Sequence, residues 1–137
     1  MAIEFNITGA DSWFIGEDKI LEFEILQDDG LILTNPLKAP QDVVGWTLAW
    51  ALKKSDAATD PALLLKTTSS GITITGVYNA VRATNTQRVS ITIADTDTDA
   101  LKPLTYRHSL KRMTAGAEAV LAFGSVVLLK ATAPAEL

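Results

Sequence analysis

The 137-residue chain contains no cysteine and only one histidine, His108. The lack of cysteine excludes a disulfide framework, a thiolate metal site and a cysteine nucleophile, and it is typical of assembly in a reducing cytoplasm. One histidine cannot build the common zinc sites, and no G-x-S-x-G sequence supports a serine hydrolase. We therefore predict no catalytic residues, no metal site and no cofactor, and we expect His108 to be a surface or interface residue.

Long apolar runs and extended basic patches are also missing. The longest apolar run, residues 117–129, is broken by Glu118, Gly124 and Ser125 and falls short of the roughly 20 residues that cross a bilayer as a helix. The formal net charge is −4, which opposes nonspecific binding to phosphates. These features predict that the chain binds neither nucleic acid nor membrane. The one basic cluster is interpreted as a solvated strand face; it consists of Arg107, His108, Lys111 and Arg112.

Three aspartates at alternate positions, Asp95, Asp97 and Asp99, have a spacing that could supply oxygen ligands to calcium. A calcium loop of the EF-hand type requires glycine at its sixth position and glutamate at its twelfth, where this chain has Ala100 and Tyr106. The aspartates are therefore interpreted as residues that cap and form a short helical turn between two strands.

Apolar and polar residues alternate with period two along most of the chain, which is the pattern of strands that bury one face. The predicted strands lie near residues 3–7, 21–25, 46–52, 63–66, 72–75, 89–93, 106–113 and 120–129. In the strand at 46–52, Trp46 and Trp50 are expected on the buried face. About seven or eight short strands in a chain of this length predict an all-β, two-sheet antiparallel sandwich of the immunoglobulin-like class. We assign residues 1–130 to this domain and residues 131–137 to a short C-terminal tail.

The approach to one of these strands has a more specific pattern. Residues 101–106 read Leu-Lys-Pro-Leu-Thr-Tyr, and a Leu-x-Pro-x-x-Tyr entry resembles the tyrosine corner of immunoglobulin-like and fibronectin-like sandwiches. In such corners the phenol hydroxyl binds main chain a few residues upstream. The resemblance therefore gives Leu101, Pro103 and Tyr106 a structural role.

Large apolar side chains in predicted loops are the candidate binding residues. Trp13 and Phe14 lie between two predicted strands, where they either close one end of the sandwich or contact a partner. The apolar residues of segment 28–43 would form an association-prone patch if they were exposed. The first and last long strands are further candidates, because an edge strand can pair with a neighbour. The interface candidates are Trp13, Phe14, Leu31, Ile32, Leu33 and Leu37.

The order of these features along residues 3–130 resembles a known family. The segments that carry the resemblance are Gly16–Asp18 before a strand, the turn Asp28–Gly30, Val44–Trp46, Asp99–Leu101 and Tyr106–Arg107 before a closing hairpin. Together they are similar to small immunoglobulin-like virion proteins of tailed bacteriophages, including the N-terminal domain of upper baseplate proteins. The chain departs from this pattern at Leu104, where relatives favour glycine.

The resemblance implies a non-enzymatic structural component of the virion, made in the cytoplasm of the host bacterium. Its partners would be other virion proteins, either capsid or tail subunits, and it could also form a homo-oligomer. A single compact domain favours a capsid decoration or cement protein, with a tail or baseplate adaptor as the alternative. Two contrasting hypotheses are a carbohydrate-binding module, which needs exposed coplanar aromatic rings, and an enzyme, which needs a deep pocket holding an acid or base of shifted pKa.

Overall fold

A computed structural model of the chain describes residues 3–27, 39–57 and 59–130. The regular secondary structure of the described residues is almost entirely β-strand, which confirms the predicted all-β class. One short helix, α1, and one turn of 3-10 helix at Gly9–Asp11 interrupt the strands. The elements in chain order are β1 (Ile3–Glu4), β2 (Trp13–Phe14), β3 (Lys19–Phe23), β4 (Leu48–Lys53), β5 (Leu64–Thr67), β6 (Ile72–Thr75), β7 (Arg88–Ile93), α1 (Asp95–Thr98), β8 (Thr105–Arg112) and β9 (Ala119–Leu129).

The strands form two sheets, as predicted for a sandwich. The larger has six strands in the order β1-β9-β8-β4-β5, with β2 also paired to β9, and the smaller has the order β3-β7-β6. The longer strands pair antiparallel, as predicted, whereas the two short strands β1 and β2 run parallel to β9. The expectation that the last long strand is a sheet edge is wrong, since β9 lies between β8 and the two short strands.

The core lies between the two sheets. Alternate residues of β4 point inward, so that Leu48, Trp50 and Leu52 are fully buried and the residues between them are half-buried. The opposite sheet contributes inward side chains of β7, including Ile91. Trp46 precedes β4 and is only partly buried, with the Arg112 guanidinium 3.8 Å from the centre of its ring. The prediction that Trp46 shares the buried face of the strand is therefore wrong.

The tyrosine segment forms the hydrogen bond that its pattern implies. The Tyr106 hydroxyl donates to the carbonyl oxygen of Lys102 over 2.6 Å, and the Tyr106 side chain is buried. Leu101 packs against the core, whereas Pro103 is exposed in the turn. The bond ties the connection after α1 to the first residues of β8, and so fixes where that strand enters the larger sheet.

Replacing Tyr106 by phenylalanine should lower the free energy of unfolding by about 1 kcal/mol, because the ring still fills its site while the Lys102 carbonyl loses its donor. Urea denaturation measures the difference. Tyr78→Phe is the matched control, since that hydroxyl makes a longer bond of 3.2 Å to the Pro40 carbonyl in a loop. Equal losses in the two variants would show that the corner bond makes no particular contribution.

The predicted helical turn is present as α1. The Asp97 carboxylate accepts hydrogen bonds from the Ala94 amide and from the Lys66 ammonium, each over 2.8 Å. The Asp95 amide donates to the Asp18 carboxylate over 2.7 Å. The bond from Lys66 has the largest effect on the Asp97 carboxyl and holds its pKa below the ordinary value.

Within the described ranges, no helix is long and apolar enough to cross a membrane.

Candidate binding surfaces

The predicted interface residues Trp13 and Phe14 point in opposite directions. Strand β2 pairs with the end of β9, and the alternation of its two side chains buries Trp13 completely and leaves Phe14 39% exposed. Of the two alternatives for Trp13, contact with a partner is therefore wrong, because Trp13 belongs to the core. The remaining predicted interface residues lie outside the described part of the chain; they are Leu31, Ile32, Leu33 and Leu37.

His108 is buried, which contradicts its expected position on a surface. Its side chain is 3% exposed, and both ring nitrogens have partners. The Trp50 indole N–H donates to Nδ1 over 3.1 Å, and Nε2 lies 2.5 Å from the carbonyl oxygen of Phe5. Burial lowers the pKa of His108; the bond to Phe5 acts in the opposite direction, and the charge of Arg107 lowers the pKa further. Period-two spacing could have revealed this site, since His108 shares a face with Tyr106 and Leu110.

Three valines are the most exposed large apolar side chains in the loops that the structure describes. Val77 is 73% exposed, Val44 is 70% and Val81 is 61%, and only Ile20 equals the last of these among the large apolar residues described. We call these three exposed side chains, which lie on two hydrogen-bonded loops, the valine surface. Val44 lies in the segment that leads into β4, and the other two lie in the long connection between β6 and β7. No period-two pattern in the sequence indicated that these three valines would be exposed.

Hydrogen bonds hold Val44 against the other loop. One carboxylate oxygen of Asp42 accepts from the Gln87 side-chain amide over 2.9 Å and from the Val44 amide over 3.1 Å. The Val43 amide donates to the side-chain oxygen of Gln87 over 3.1 Å. The two hydrogen bonds that Asp42 accepts lower the pKa of its carboxyl, and the bond from Gln87 has the larger effect. Two segments that are distant in sequence are thereby joined beside Val44.

The connection between β6 and β7 is equally well bonded. The Val77 amide donates to the Thr86 hydroxyl over 2.9 Å, and the Thr86 amide donates back to the Val77 carbonyl over 3.1 Å. Side-chain oxygens of Asn85 and Asn79 accept from the amides of Asn79 and Val81, over 2.9 and 2.8 Å. Because the backbone is already fixed, a partner that covers these valines need not order the loop first.

A cleft of about 690 Å³ lies between the β3 side of the smaller sheet and the first half of β9. Glu24 lies in the wall of this cleft, and its burial by itself would raise the pKa of its carboxyl. Hydrogen bonds from Asn85 and Arg82, together with the positive charges of Arg88 and Arg82, have the larger combined effect and lower that pKa. Glu24 therefore stays ionised near neutral pH and is no proton donor. The side chains that line the cleft include Phe5, Phe23, Glu24, Ile25, Trp46, Arg82, Arg112, Val120 and Leu121.

The tryptophans bear on the carbohydrate-binding alternative. Trp13 and Trp50 are fully buried, and Trp46 is partly buried beneath the Arg112 guanidinium. The three rings therefore do not form the exposed coplanar platform that a sugar ring would stack on.

Among the side chains that the structure describes, no group of three or more carboxylates and imidazoles could hold a metal ion. The spacing of Asp95, Asp97 and Asp99 therefore does not bring these carboxylates together as a metal site.

No protein-family model and no curated protein sequence matches this chain.

Proposed function

We propose that this chain is a non-enzymatic, immunoglobulin-like domain that binds a protein subunit of a tailed-phage virion, with the capsid as its site and decoration of the shell as its role. The place in a virion comes from the order of sequence features over residues 3–130. The exposed valines and the hydrogen bonds that fix their loops support binding through a preformed apolar loop surface as the mode of action. A tail or baseplate adaptor is the alternative location for the same activity.

The strand order supports the immunoglobulin-like assignment. In immunoglobulin domains the third, sixth and seventh principal strands form one sheet, and the second, fifth and fourth pair in the other. The orders β9-β8-β4 and β3-β7-β6 follow this arrangement when β1 and β2 are counted together as the first strand and β5 as an extra strand beside β4. The bond from Tyr106 to Lys102 agrees with the same assignment.

The valine surface is the observation that carries the binding proposal. Folding leaves these three side chains in water, and a partner that covers them would gain roughly 25 cal/mol for each Å² of apolar surface removed from water. Their loops are fixed by side-chain hydrogen bonds, so little conformational entropy is lost on docking. The partner that fits is a protein with an apolar depression, which is how we expect a capsid subunit to receive them.

Replacing Val77 and Val81 together by aspartate should weaken binding to purified empty capsids by about 100-fold, because two buried contacts become desolvated charges. The free energy of unfolding should change by no more than about 0.5 kcal/mol, since both side chains are exposed in the free domain. Co-sedimentation gives the affinity, and urea denaturation gives the stability. Ile20→Asp with Leu65→Asp is the matched control, because these residues are 61% and 57% exposed on strands β3 and β5.

The outcomes separate the possible locations. Binding of the unaltered domain to capsids, lost in the valine variant and kept in the control, supports the proposal. Binding to isolated tails alone would move the domain to the tail and contradict a decoration role. Equal losses in the valine variant and the control would show that the valine surface is not the contact. A further outcome is that the unaltered domain forms a dimer when no virion part is present, while the valine variant is monomeric. That result would show that the valine surface binds a second copy of the domain.

A further inference from the structure

The attachment of β1 to β9 contains an irregularity beside His108. The Phe5 amide donates to the Phe123 carbonyl over 2.7 Å, and the Val127 amide donates to the Ile7 carbonyl over 2.9 Å. In a regular parallel ladder with this register, the Ser125 amide would donate to the Phe5 carbonyl. Here it donates to the Asn6 side-chain oxygen over 2.9 Å. The Phe5 carbonyl is thereby released from the ladder and receives the imidazole.

Gly124 makes the diversion possible. It pairs with His108 across β8 and β9, and a Cβ atom at this position would lie 2.1 Å from the Phe5 carbonyl oxygen. Because glycine has no side chain, the His108 ring reaches over β9 to the strand beyond it. A line of hydrogen bonds therefore runs from Trp50 through His108 to Phe5, and it connects β4 in the middle of the larger sheet to the segment that follows β1.

These bonds fix the protonation state of the ring. Nδ1 accepts from the Trp50 indole, so the single proton of the neutral imidazole lies on Nε2, where it is donated to the Phe5 carbonyl. A second proton on Nδ1 would point at the indole N–H, which has nothing to accept it. The arrangement is therefore compatible with neutral imidazole and incompatible with imidazolium.

Among the described residues around His108, none offers a compensating negative charge. Strand β9 carries no ionisable side chain, and the inward positions of β3 and β7 facing the larger sheet are apolar. Tyr106 shares the inner face of β8, but its hydroxyl is bonded to Lys102. Glu4 on β1 is exposed, Lys53 on β4 is positive, and the nearby charge that acts on His108 is the positive one of Arg107.

We propose that His108 makes the attachment of β1 sensitive to acid: when the imidazole is protonated, the segment 3–7 separates from β9 while the rest of the sandwich stays folded. Trp50 is fully buried in a central strand and cannot move away from the new proton. Strand β1 has two residues, lies at the sheet edge, and precedes Phe5, which is already 39% exposed. The element that yields is therefore β1, and its release lets water reach the imidazolium.

The sign of the pH dependence follows from the lowered pKa of His108. In the open state the imidazole has its ordinary pKa of 6.5, so the open state binds the proton more tightly. The opening equilibrium should be independent of pH well above 6.5, and below it should rise by about tenfold for each pH unit until the folded-state pKa is reached. At lower pH it should level off.

Nuclear magnetic resonance on the full chain tests the proposal, because its one histidine needs no assignment by mutation. At pH 8 the ring nitrogens should show the Nε2–H tautomer. Between pH 8 and 5, hydrogen exchange of the Ile7 and Val127 amides, corrected for intrinsic rates, should begin to accelerate near pH 6.5 and should level off where His108 titrates in the closed state. Amides in the pairing of β4 with β8, such as Ala51 and Ser109, should keep their protection. In His108→Gln, exchange at Ile7 and Val127 should not depend on pH over this range.

Three results would overturn the proposal. One is an Nδ1–H tautomer at pH 8. Another is titration of His108 with no change in exchange at Ile7 and Val127. The third is loss of protection throughout the sandwich at the same pH, which would make the effect global unfolding. Trp50→Phe adds an independent check, since removing the indole N–H frees Nδ1 for a proton and should raise the pKa of His108 above that of the unaltered chain.

Discussion

Replacing Trp50 by alanine is expected to lower the free energy of unfolding by about 3–5 kcal/mol, the range found for large-to-small changes of aromatic residues in a core. Trp50 is fully buried in β4, and its indole contacts the buried His108 ring. The alanine variant leaves a cavity between the sheets and removes the donor to the His108 Nδ1 atom. Chemical denaturation, with a check that the denaturant dependence of the free energy is unchanged, measures the loss.

Trp46→Ala is the control for this prediction. Trp46 is only partly buried, and its ring is covered on one side by Arg112, so the loss should be clearly smaller than for Trp50. Trp50→Phe should fall between the two, because the ring is largely kept while the hydrogen bond is lost, at about 1–3 kcal/mol for the unsatisfied buried nitrogen. A soluble, cooperatively folding Trp50→Ala variant of unchanged stability would refute the placement of β4 in the core.

Replacing Gly124 by alanine should cost about 3 kcal/mol, at the upper end of the range for overpacked interiors. The added methyl group would lie 2.1 Å from the Phe5 carbonyl oxygen and 2.8 Å from the Asn6 side-chain oxygen, so backbone has to move. The movement should also break the bonds that these two atoms make to His108 and Ser125. We expect faster hydrogen exchange at Ile7 and Val127, together with the lower free energy of unfolding in urea.

Gly116→Ala distinguishes crowding from loss of glycine as such. Gly116 has φ 77°, which disfavours alanine, but a Cβ there would meet no atom within 4 Å. It should cost about 1 kcal/mol of backbone strain and leave the β1 amides unaffected. If Gly124→Ala proves no more destabilising than Gly116→Ala, the close crossing of residues 5 and 6 over β9 is not as described.

The positions of the strands could be predicted because each has one buried face. Period-two alternation located β4, β6, β7, β8 and β9 to within a few residues, and α1 begins at the first of the three aspartates predicted to form a helical turn. The direction of pairing could not be predicted in the same way. Alternation records which side chains are buried, and it is identical for parallel and antiparallel neighbours. Strand β2 was missed because two residues cannot display a period.

The candidate surfaces were harder to predict than the fold. Trp13 could be assigned either to the core or to an interface, because a large aromatic ring suits both, and only its pairing beside β9 decides. His108 was assigned to the surface from its basic neighbours, although its alternation with Tyr106 and Leu110 pointed inward. The valine surface depends on bonds such as that between Asp42 and Gln87, 45 residues apart, which no local pattern indicates.

The parallel pairing of β1 and β2 with β9 also determines how the domain bears mechanical load. A force applied through the two ends of the described chain pulls β1 backward and β9 forward along their shared direction. The hydrogen bonds between them lie across that direction, so they are loaded together in shear and must fail together. In a domain whose terminal strands were antiparallel neighbours, the same pull would open the bonds one after another from one end. The short edge strands therefore make this sandwich resistant to being drawn out lengthwise.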